Sequence, residues 1–376
     1  MNIKSAESSL QSTTFEYEAI FHKVVGVWPG DDYFLARYSR IRGYVLAAFA
    51  VVVCVFQFTA LLEANSDDVP ETIIEGMGAI IPIVKIVPVI CYRNDFINLM
   101  RMTKEINEFS TLTDEEETIH IDWQSVQDKL MKIISRYYFL TVIGLYFVAP
   151  MFRNALPLRG IVPEVLRVTP WFQMIYVLQC LLLLSNVITS ISSDAFSVTF
   201  MCQLCKQLEL VQCSIKHLGS HTKVNLAETI NRHAVALDYG QRVCNTLKTM
   251  FLLQHIFISM FLCFAGVIVL NTQNSLILMK MIVISVIFVS TLLIICFVGE
   301  TITSSSLKIA SATESSNYEI FLGDVSTLRT VSFILCRAQK PLRMAVSLSG
   351  SMNLSFFTET MNKLVSAFMI LRTMME

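Results

Sequence analysis

The run GYVLAAFAVVVCVFQFTALL, from Gly43 to Leu62, contains 20 residues and no charge. A helix of about 20 apolar residues is long enough to cross the hydrocarbon core of a bilayer. The whole chain has the same character, because 54% of its residues are hydrophobic and only 16% are charged, against about 25% charged in soluble proteins. The run therefore predicts a transmembrane helix in a protein that crosses the membrane several times.

Six further stretches have the length and apolar content of membrane spans. Together with the first they predict an all-α, polytopic membrane protein with seven transmembrane helices, here called spans 1 to 7. Spans 2 to 7 are Thr72–Tyr92, Arg136–Phe152, Trp171–Ile191, Phe251–Leu270, Leu276–Val298 and Ser355–Met374.

Lysine and arginine are distributed unequally between the two sides of these spans. The N-terminal segment and the connections on its side carry 22 of them, and the opposite side carries four. Basic residues in short connections stay in the cytoplasm. The asymmetry predicts a cytoplasmic N-terminus and, with seven spans, an extracellular C-terminus.

The cytoplasmic connections contain helical patterns of their own. Apolar residues after span 4 recur at alternating steps of three and four, which is typical of an amphipathic helix, at Met201, Leu204, Leu208, Val211, Ile215 and Leu218. Looser versions precede span 5 (Leu226, Ile230, Leu237, Leu247, Phe251) and span 7 (Ile320, Val325, Leu328, Val331, Leu335). We expect spans 4 to 6 to extend into a cytoplasmic anchor bundle suited to subunit association.

These patterns divide the chain into six parts. We expect a cytoplasmic segment, spans 1 to 4 with the ligand side, a first anchor segment, spans 5 and 6, a second anchor segment with the first part of helix 7, and the pore-lining part of helix 7; their limits are 1–42, 43–198, 199–250, 251–298, 299–350 and 351–376.

Several functional classes are not supported by the residues. The net charge of −1 gives no basic field for nucleic acid, and the sequence lacks hydrolase, metalloprotease and nucleotide-binding signatures, so we expect no enzyme and no cofactor. Cys202, Cys205, His217 and His221 approach a zinc-finger spacing. The unbroken helical pattern through the same segment argues against the required hairpin, and we predict no metal site there.

Charged residues inside spans are a stronger functional signal. Such a group costs about 2.5–3.5 kcal/mol at a helix centre and normally faces a partner, a cavity or water. Lys85 lies deep in span 2 between Pro82 and Pro88, where we expect a kinked helix that faces a cavity. Lys280 lies near the outer end of span 6 and is expected to extend to the interface.

Span 7 combines a polar face with an apolar outer end. Glu359 and Lys363 are four residues apart in the favourable order for an ion pair. The same face continues through Asn362, Ser366, Ile370, Thr373 and Met374, and the opposite face carries Met361, Leu364, Val365 and Phe368. A polar stripe that ends in an apolar ring is typical of a water-filled pathway with a hydrophobic gate; burial against neighbouring helices is the alternative.

The whole chain resembles the insect odorant receptors of the odour-tuning kind. The resemblance is sharpest in the tail, where NYEIFLGDVSTLRTVSFILCRAQKPLRMAVS (317–347) precedes NLSFFTETMNKLVSAFMILR (353–372). The matching positions are Tyr318, Pro341, Phe357, Lys363 and Ser366. YRNDFINLMRMTKEINEF after span 2 is also similar. Asn317 departs from the family, which usually has tryptophan before the tyrosine.

The resemblance implies a ligand-gated, non-selective cation channel of four subunits in the plasma membrane of a sensory neuron dendrite. The partners implied are the odorant receptor co-receptor in a heterotetramer, a small volatile odorant and membrane lipid. By position, Ile370 and Met374 match gate residues, and Lys363 and Ser366 match the pore helix.

The resemblance also implies an odorant pocket in the outer half of the membrane, among spans 2 to 6. The outward halves of these spans offer mostly apolar and aromatic side chains, which suits a volatile ligand bound by burial of surface. They are Met77, Ile80, Ile81, Gly144, Tyr146, Phe147, Val148, Met174, Leu178, Leu181, Val283 and Val286.

Three other classes remain as alternatives. A gustatory receptor has a similar tail, but its more strongly marked last-helix motif is absent here. A G-protein-coupled receptor predicts the opposite orientation and characteristic motifs after span 3 and in span 7, none of which occurs. A transporter is expected to contain an internal repeat, and we find none.

Overall fold

The structure, a computed structural model, describes residues 33–62, 69–108, 113–142, 170–218, 226–316, 325–346 and 350–375. Within these ranges the chain forms nine α-helices: α1 (Tyr33–Ala60), α2 (Val69–Cys91), α3 (Arg93–Glu108), α4 (Asp114–Val142), α5 (Trp171–Lys216), α6 (Leu226–Asn271), α7 (Ser275–Glu314), α8 (Val325–Ala338) and α9 (Leu354–Met375). The same ranges contain no strand, and one isolated β-bridge joins Ala345 to Ser351. The predicted all-α fold class is confirmed.

Three helices are far longer than a membrane is thick. Helices α5 and α6 each contain 46 residues and α7 contains 40. At 1.5 Å per residue they measure about 60–70 Å, twice the hydrocarbon core of about 30 Å. The predicted extension of spans 4 to 6 beyond the membrane is therefore confirmed. The predicted borders at 198, 250 and 298 lie within these continuous helices.

The extended part of α5 is packed through the predicted apolar face. All six residues of that face are buried, with 2% or less of their surface exposed: Met201, Leu204, Leu208, Val211, Ile215 and Leu218. They belong to one hydrophobic core with Tyr239, Leu247 and Phe251 of α6. Burial of these large side chains, worth about 1.5–3 kcal/mol each, holds the bundle together.

The pattern expected before span 7 is found in α8 except at the first residue of that helix. Helix α8 buries Val331, Ile334 and Ala338, while Val325 is exposed, and Ile320 lies outside the described residues. The predicted face is therefore present at Leu328, Val331 and Leu335 and was wrong only at Val325, the first residue of α8.

Membrane-length helices are found at four of the predicted spans by length and hydropathy among the described residues: α1 over Gly43–Ala60, α5, α6 and α7. A fifth is reached if α2 and α3, which meet at 71°, are counted as one span. The predicted span 3 extends into residues outside the described ranges. Helix α9, which corresponds to the predicted span 7, is not among these membrane-length helices; it contains the polar residues noted above.

Helix α2 is continuous through both of its prolines. A kink near Lys85 was expected. The helical assignment runs on to Cys91, and the 71° bend between α2 and α3 follows at Tyr92. The amide of Tyr92 donates to the carbonyl of Pro88 at 2.9 Å, so the carbonyl of the second proline keeps a helical hydrogen bond.

The acidic run 114–117 starts α4 with a capping box, the reciprocal arrangement of a threonine and a glutamate three residues later. The amide of Thr113 donates to Glu116 Oε2 at 3.0 Å, and the amide of Glu116 lies 3.4 Å from Thr113 Oγ1. Glu116 is buried. Its Oε1 accepts hydrogen bonds from Arg232 of α6 at 2.5 Å and from Ser214 of α5 at 3.2 Å. The start of α4 is thereby fixed to two neighbouring helices.

Candidate pore helix and buried polar cluster

Helix α9 begins directly after Asn353. The side-chain oxygen of Asn353 accepts the amide of Phe356 at 2.7 Å, which satisfies one of the donors that have no partner within the helix. The cap fixes the first turn and, through the helical period, the direction of every later side chain.

The predicted polar stripe lies on the exposed side of α9. All of its members whose side chains the structure describes point away from the rest of the chain: Glu359, Asn362, Lys363, Ser366, Ile370 and Thr373. The side chain of Met374 lies outside the described residues. The predicted ion pair is confirmed, with Lys363 Nζ at 2.6 Å from Glu359 Oε1. One surface of the helix is thus polar near its start and apolar at Ile370.

The other side of α9 packs against α6 and α7. The ring of Phe368 rests on Gly266 so closely that an added Cβ would lie 2.7 Å from a ring carbon, and the rings of His255 and Phe356 are 4.8 Å apart. Met361, Leu364 and Phe368 are half-buried, as expected for the opposite face. Val365 is 61% exposed, which corrects its assignment, because it lies at the edge of the packed face.

A buried ion pair lies in the middle of the chain. Lys85 of α2 and Asp194 of α5 are 4% and 5% exposed, and Lys85 Nζ is 2.5 Å from Asp194 Oδ1. The Tyr138 hydroxyl of α4 donates to Asp194 Oδ2 at 2.8 Å, and Gln254 Nε2 of α6 donates to Oδ1 at 3.4 Å. Four helices therefore supply one compact polar cluster, hereafter the Lys85–Asp194 cluster.

Asp194 was not predicted from the sequence. Lys85 was identified as a costly intramembrane charge, but its acidic partner was not. The available signal was the aspartate in SSDAFSVTF, 192–200, which directly continues an apolar span. An acid and a base inside predicted spans are best explained as partners.

A small cavity adjoins this cluster. It has room for about one water molecule and is lined by Asp194 together with mostly apolar neighbours: Ile134, Ser197, Val198, Thr291, Ile294 and Ile295. None of the residues predicted for the odorant pocket lines it. Lys85 contacts Asp194 and is not among the residues that line this cavity, so the cavity adjoins the ion pair but does not receive the lysine.

The predicted pocket residues fall into three groups. Met77 is buried, and Ile80, Ile81 and Val283 pack against the main core. Met174, Leu178, Leu181 and Val286 are exposed large apolar side chains. Gly144, Tyr146, Phe147 and Val148 lie outside the described residues. The described residues do not bring these positions together around one cavity.

The chain is similar to known receptors in sequence and in fold. The family model described as 7tm Odorant receptor matches residues 73–365. Odorant receptor 30a of Drosophila melanogaster is 26% identical over 212 residues, which cover 54% of this chain and 55% of that relative. The match thus spans about half the length of the relative.

Two solved structures of the insect olfactory receptor OR5 from Machilis hrabei share the fold. The structure in complex with eugenol has a TM-score of 0.78 at 14% identity and covers 96% of this chain and 97% of that chain. The other has a TM-score of 0.76 at 13% identity and covers 95% and 97%. Since the family model covers most of the sequence, the chain belongs to the insect odorant receptor family, whose members are receptors rather than enzymes.

Proposed function

We propose that this chain is a subunit of an odorant-gated, non-selective cation channel and that the exposed face of α9 lines its pore. The observation that carries the proposal is the exposure of the entire described stripe, including both members of the Glu359–Lys363 pair. In lipid each such charge would be costly, at about 2.5–3.5 kcal/mol near a helix centre. A water-filled pathway formed by several copies of α9 removes that cost.

The opposite side of α9 has the support that a pore helix needs. Phe368 on Gly266 and Phe356 beside His255 fix the helix to α6 at both ends. The polar stripe therefore faces outward from the subunit while the packed face is held by its own chain. Four subunits around one axis place four such stripes opposite one another, as the family resemblance implies.

Ile370 is the proposed gate. It lies seven residues beyond Lys363, about two helical turns toward the predicted extracellular end, and is 61% exposed. A ring of isoleucines at a narrow point of the pore excludes water and therefore ions. The pore conducts once the ring widens and water enters it. Met374 is the second gate position by resemblance.

The ligand proposed is a small, mostly apolar volatile bound in the outer half of the membrane. This proposal rests on the family resemblance, and the OR5 structure with eugenol is a relative with such a ligand. The pocket residues named from the sequence remain predictions. For the ligand to open the gate it must bind the open state more tightly than the closed state.

The partner proposed is the odorant receptor co-receptor, in a heterotetramer in the plasma membrane of sensory neuron dendrites. A panel of volatiles applied to cells that express this chain with and without the co-receptor tests this assembly. We expect evoked cation currents only in the co-expressing cells. Equal currents without the co-receptor would show that the chain forms a channel alone.

The substitution Ile370→Ser tests the pore assignment. A hydroxyl at the constriction stabilises water there, so we expect a larger basal current in co-expressed channels without ligand. Val365→Ser is the matched control, because Val365 has the same 61% exposure but lies about 140° away around the helix. We expect it to leave the basal current unchanged.

The two variants together decide the assignment. An unchanged basal and evoked current in Ile370→Ser, at a surface expression equal to that of the native chain, would remove Ile370 from the gate. A raised basal current in both variants would show a general loosening of α9 rather than the wetting of one ring.

A further inference from the structure

Three side chains of different chemistry meet where α4 begins and α5 ends. Cys213 and His217 are four residues apart and therefore share a face of α5, and Glu115 projects from the first turn of α4. Their ligating atoms all lie within 4.8 Å of one another. Cys213 Sγ is 3.6 Å from Glu115 Oε2, and His217 Nε2 is 3.5 Å from the same oxygen.

The orientation of the His217 ring is fixed by the backbone. Its Nδ1 lies 2.9 Å from the carbonyl oxygen of Cys213. A carbonyl only accepts, so Nδ1 carries the proton and donates it, and in the neutral ring Nε2 carries the lone pair. A histidine that donates one nitrogen to a carbonyl is oriented to bind metal through the other. Here that other nitrogen faces Glu115.

Two of the three separations, both to Glu115 Oε2, fit the edges of a tetrahedral zinc site. Cys213 Sγ lies 3.8 Å from His217 Nδ1, so the sulfur and the ring must shift for Nε2 to become the ligand. With Zn–S of about 2.3 Å and Zn–N or Zn–O of about 2.0–2.2 Å, two ligands of one zinc ion are about 3.3–3.6 Å apart. The two distances to Glu115 Oε2 fall at this value. Sulfur, imidazole nitrogen and carboxylate oxygen together favour Zn²⁺ over Ca²⁺ or Mg²⁺, which select oxygen alone.

We propose that Glu115, Cys213 and His217 bind one Zn²⁺ ion and that a water molecule takes the fourth position. Glu115 is 69% exposed and His217 is 36% exposed, so an ion enters from solvent, while Cys213 is buried and closes the inner side. Binding displaces the thiol proton, because the thiolate is the ligand.

The carboxylate next to this site has partners of its own. The adjacent Glu116 is occupied by Arg232 and Ser214 and holds the first turn of α4 against α5 and α6. In the predicted topology the site is cytoplasmic, where reducing conditions keep Cys213 as a thiol. The bound ion would join the start of α4 to the end of α5 in the cytoplasmic bundle.

Only one member of the site belongs to the zinc-finger spacing considered in the sequence. Cys202 and Cys205 are buried along α5, and His221 lies outside the described residues. His217 instead meets Cys213, one helical turn earlier, and Glu115, which is 98 residues distant from Cys213 in the sequence. His217 is common to the rejected spacing and to the proposed site, but its partners differ.

Cobalt substitution tests the proposal on the full-length protein. The purified chain is freed of metal with EDTA, kept under a non-thiol reductant and titrated with Co²⁺, whose bond to a thiolate produces a charge-transfer absorption in the near ultraviolet. We expect one equivalent of Co²⁺ to bind with this absorption and Zn²⁺ to displace it. Cys213→Ser should abolish the absorption, and His217→Gln should weaken Zn²⁺ binding at least tenfold.

The control variants separate this site from other thiols and acids. Cys336→Ser removes an exposed cysteine and should change nothing. Glu115→Gln should weaken Zn²⁺ binding at least tenfold, whereas Glu117→Gln, an exposed acid of the same helical turn, should not. Because both glutamates are exposed, neither variant threatens folding.

Three results would overturn the proposal. One is the absence of a thiolate absorption at stoichiometric Co²⁺, which would leave the three groups as a hydrogen-bonded cluster only. Another is an absorption that survives in Cys213→Ser. The third is equal Zn²⁺ affinity in Glu115→Gln and Glu117→Gln, which would remove the carboxylate from the site.

Discussion

Removing one member of the Lys85–Asp194 pair should destabilise the protein strongly, whereas removing both should not. With both side chains 5% exposed or less, neither can recover solvation when its partner is lost. Breaking a buried pair by deleting one partner costs about 3–5 kcal/mol, while exchanging both for neutral groups of similar volume is often nearly neutral. The relevant substitutions are Lys85→Met and Asp194→Asn.

The remaining contacts set the size of each effect. In Lys85→Met the carboxylate of Asp194 keeps the hydroxyl of Tyr138 at 2.8 Å and the amide of Gln254 at 3.4 Å, so we expect the lower end, about 3 kcal/mol. In Asp194→Asn the ammonium of Lys85 loses its carboxylate partner and keeps the neutral Tyr138 hydroxyl at 3.4 Å, and we expect a larger loss, of about 3–5 kcal/mol.

The free energy of unfolding is measured by titrating SDS into mixed micelles and following tryptophan fluorescence. We expect the double variant to be at least as stable as the milder single variant, which corresponds to a coupling energy of at least about 3 kcal/mol. Lys308→Met is the control, because Lys308 is exposed on α7, and it should change stability by no more than about 0.5 kcal/mol.

Two results would refute this reasoning. A loss below about 1 kcal/mol in Lys85→Met would show that the lysine is solvated or neutral despite its burial. A double variant whose loss equals the sum of the two single losses would show that the side chains act independently.

Two further predictions concern packing and pH. Gly299→Ala should cost at least about 2 kcal/mol, because its Cβ would overlap the backbone carbonyl of Met352, whereas Gly78→Ala, with no neighbouring atom within 4 Å, should be neutral or gain about 0.5–1 kcal/mol; equal unfolding free energies would contradict the close approach. Burial, followed by the charge of Lys206, lowers the pKa of His120 from 6.5 to about 4, so the folded state resists protonation and stability falls as the pH drops from about 6.5 toward 4. At pH 5.5 we expect a loss of about 0.7 kcal/mol, half the unscreened value because the ring is only partly buried. His120→Gln should lose less between pH 7.5 and 5.5, and identical losses in the two proteins would contradict the assignment.

The sequence predicted those features that depend on the helical period alone. The buried face of α5 and the exposed stripe of α9 both follow from counting in steps of three and four along a single helix. These predictions succeeded because each helix is long or well capped, as with Asn353 before α9. In the short α8 the same counting placed Val325 on the packed face, and the structure exposes it.

The features that the sequence did not predict depend on pairs of distant residues. Lys85 and Asp194 are 109 residues apart, and Glu115 and Cys213 are 98 residues apart. Neither separation is encoded in a local pattern, since each results from how α2, α4 and α5 pack. A charge inside a predicted span indicates that it has a partner, but which residue is the partner depends on the tertiary fold.

Helix α6 physically connects the Lys85–Asp194 cluster to the proposed pore helix. Gln254 donates to Asp194, and the ring of the next residue, His255, contacts the ring of Phe356 at the start of α9. Consecutive helical residues point about 100° apart, so adjacent positions of one rigid helix contact both sites. Three turns further along α6, Gly266 lies against the ring of Phe368 of α9. The polar cluster and the proposed pore helix are therefore supported by the same helix, α6.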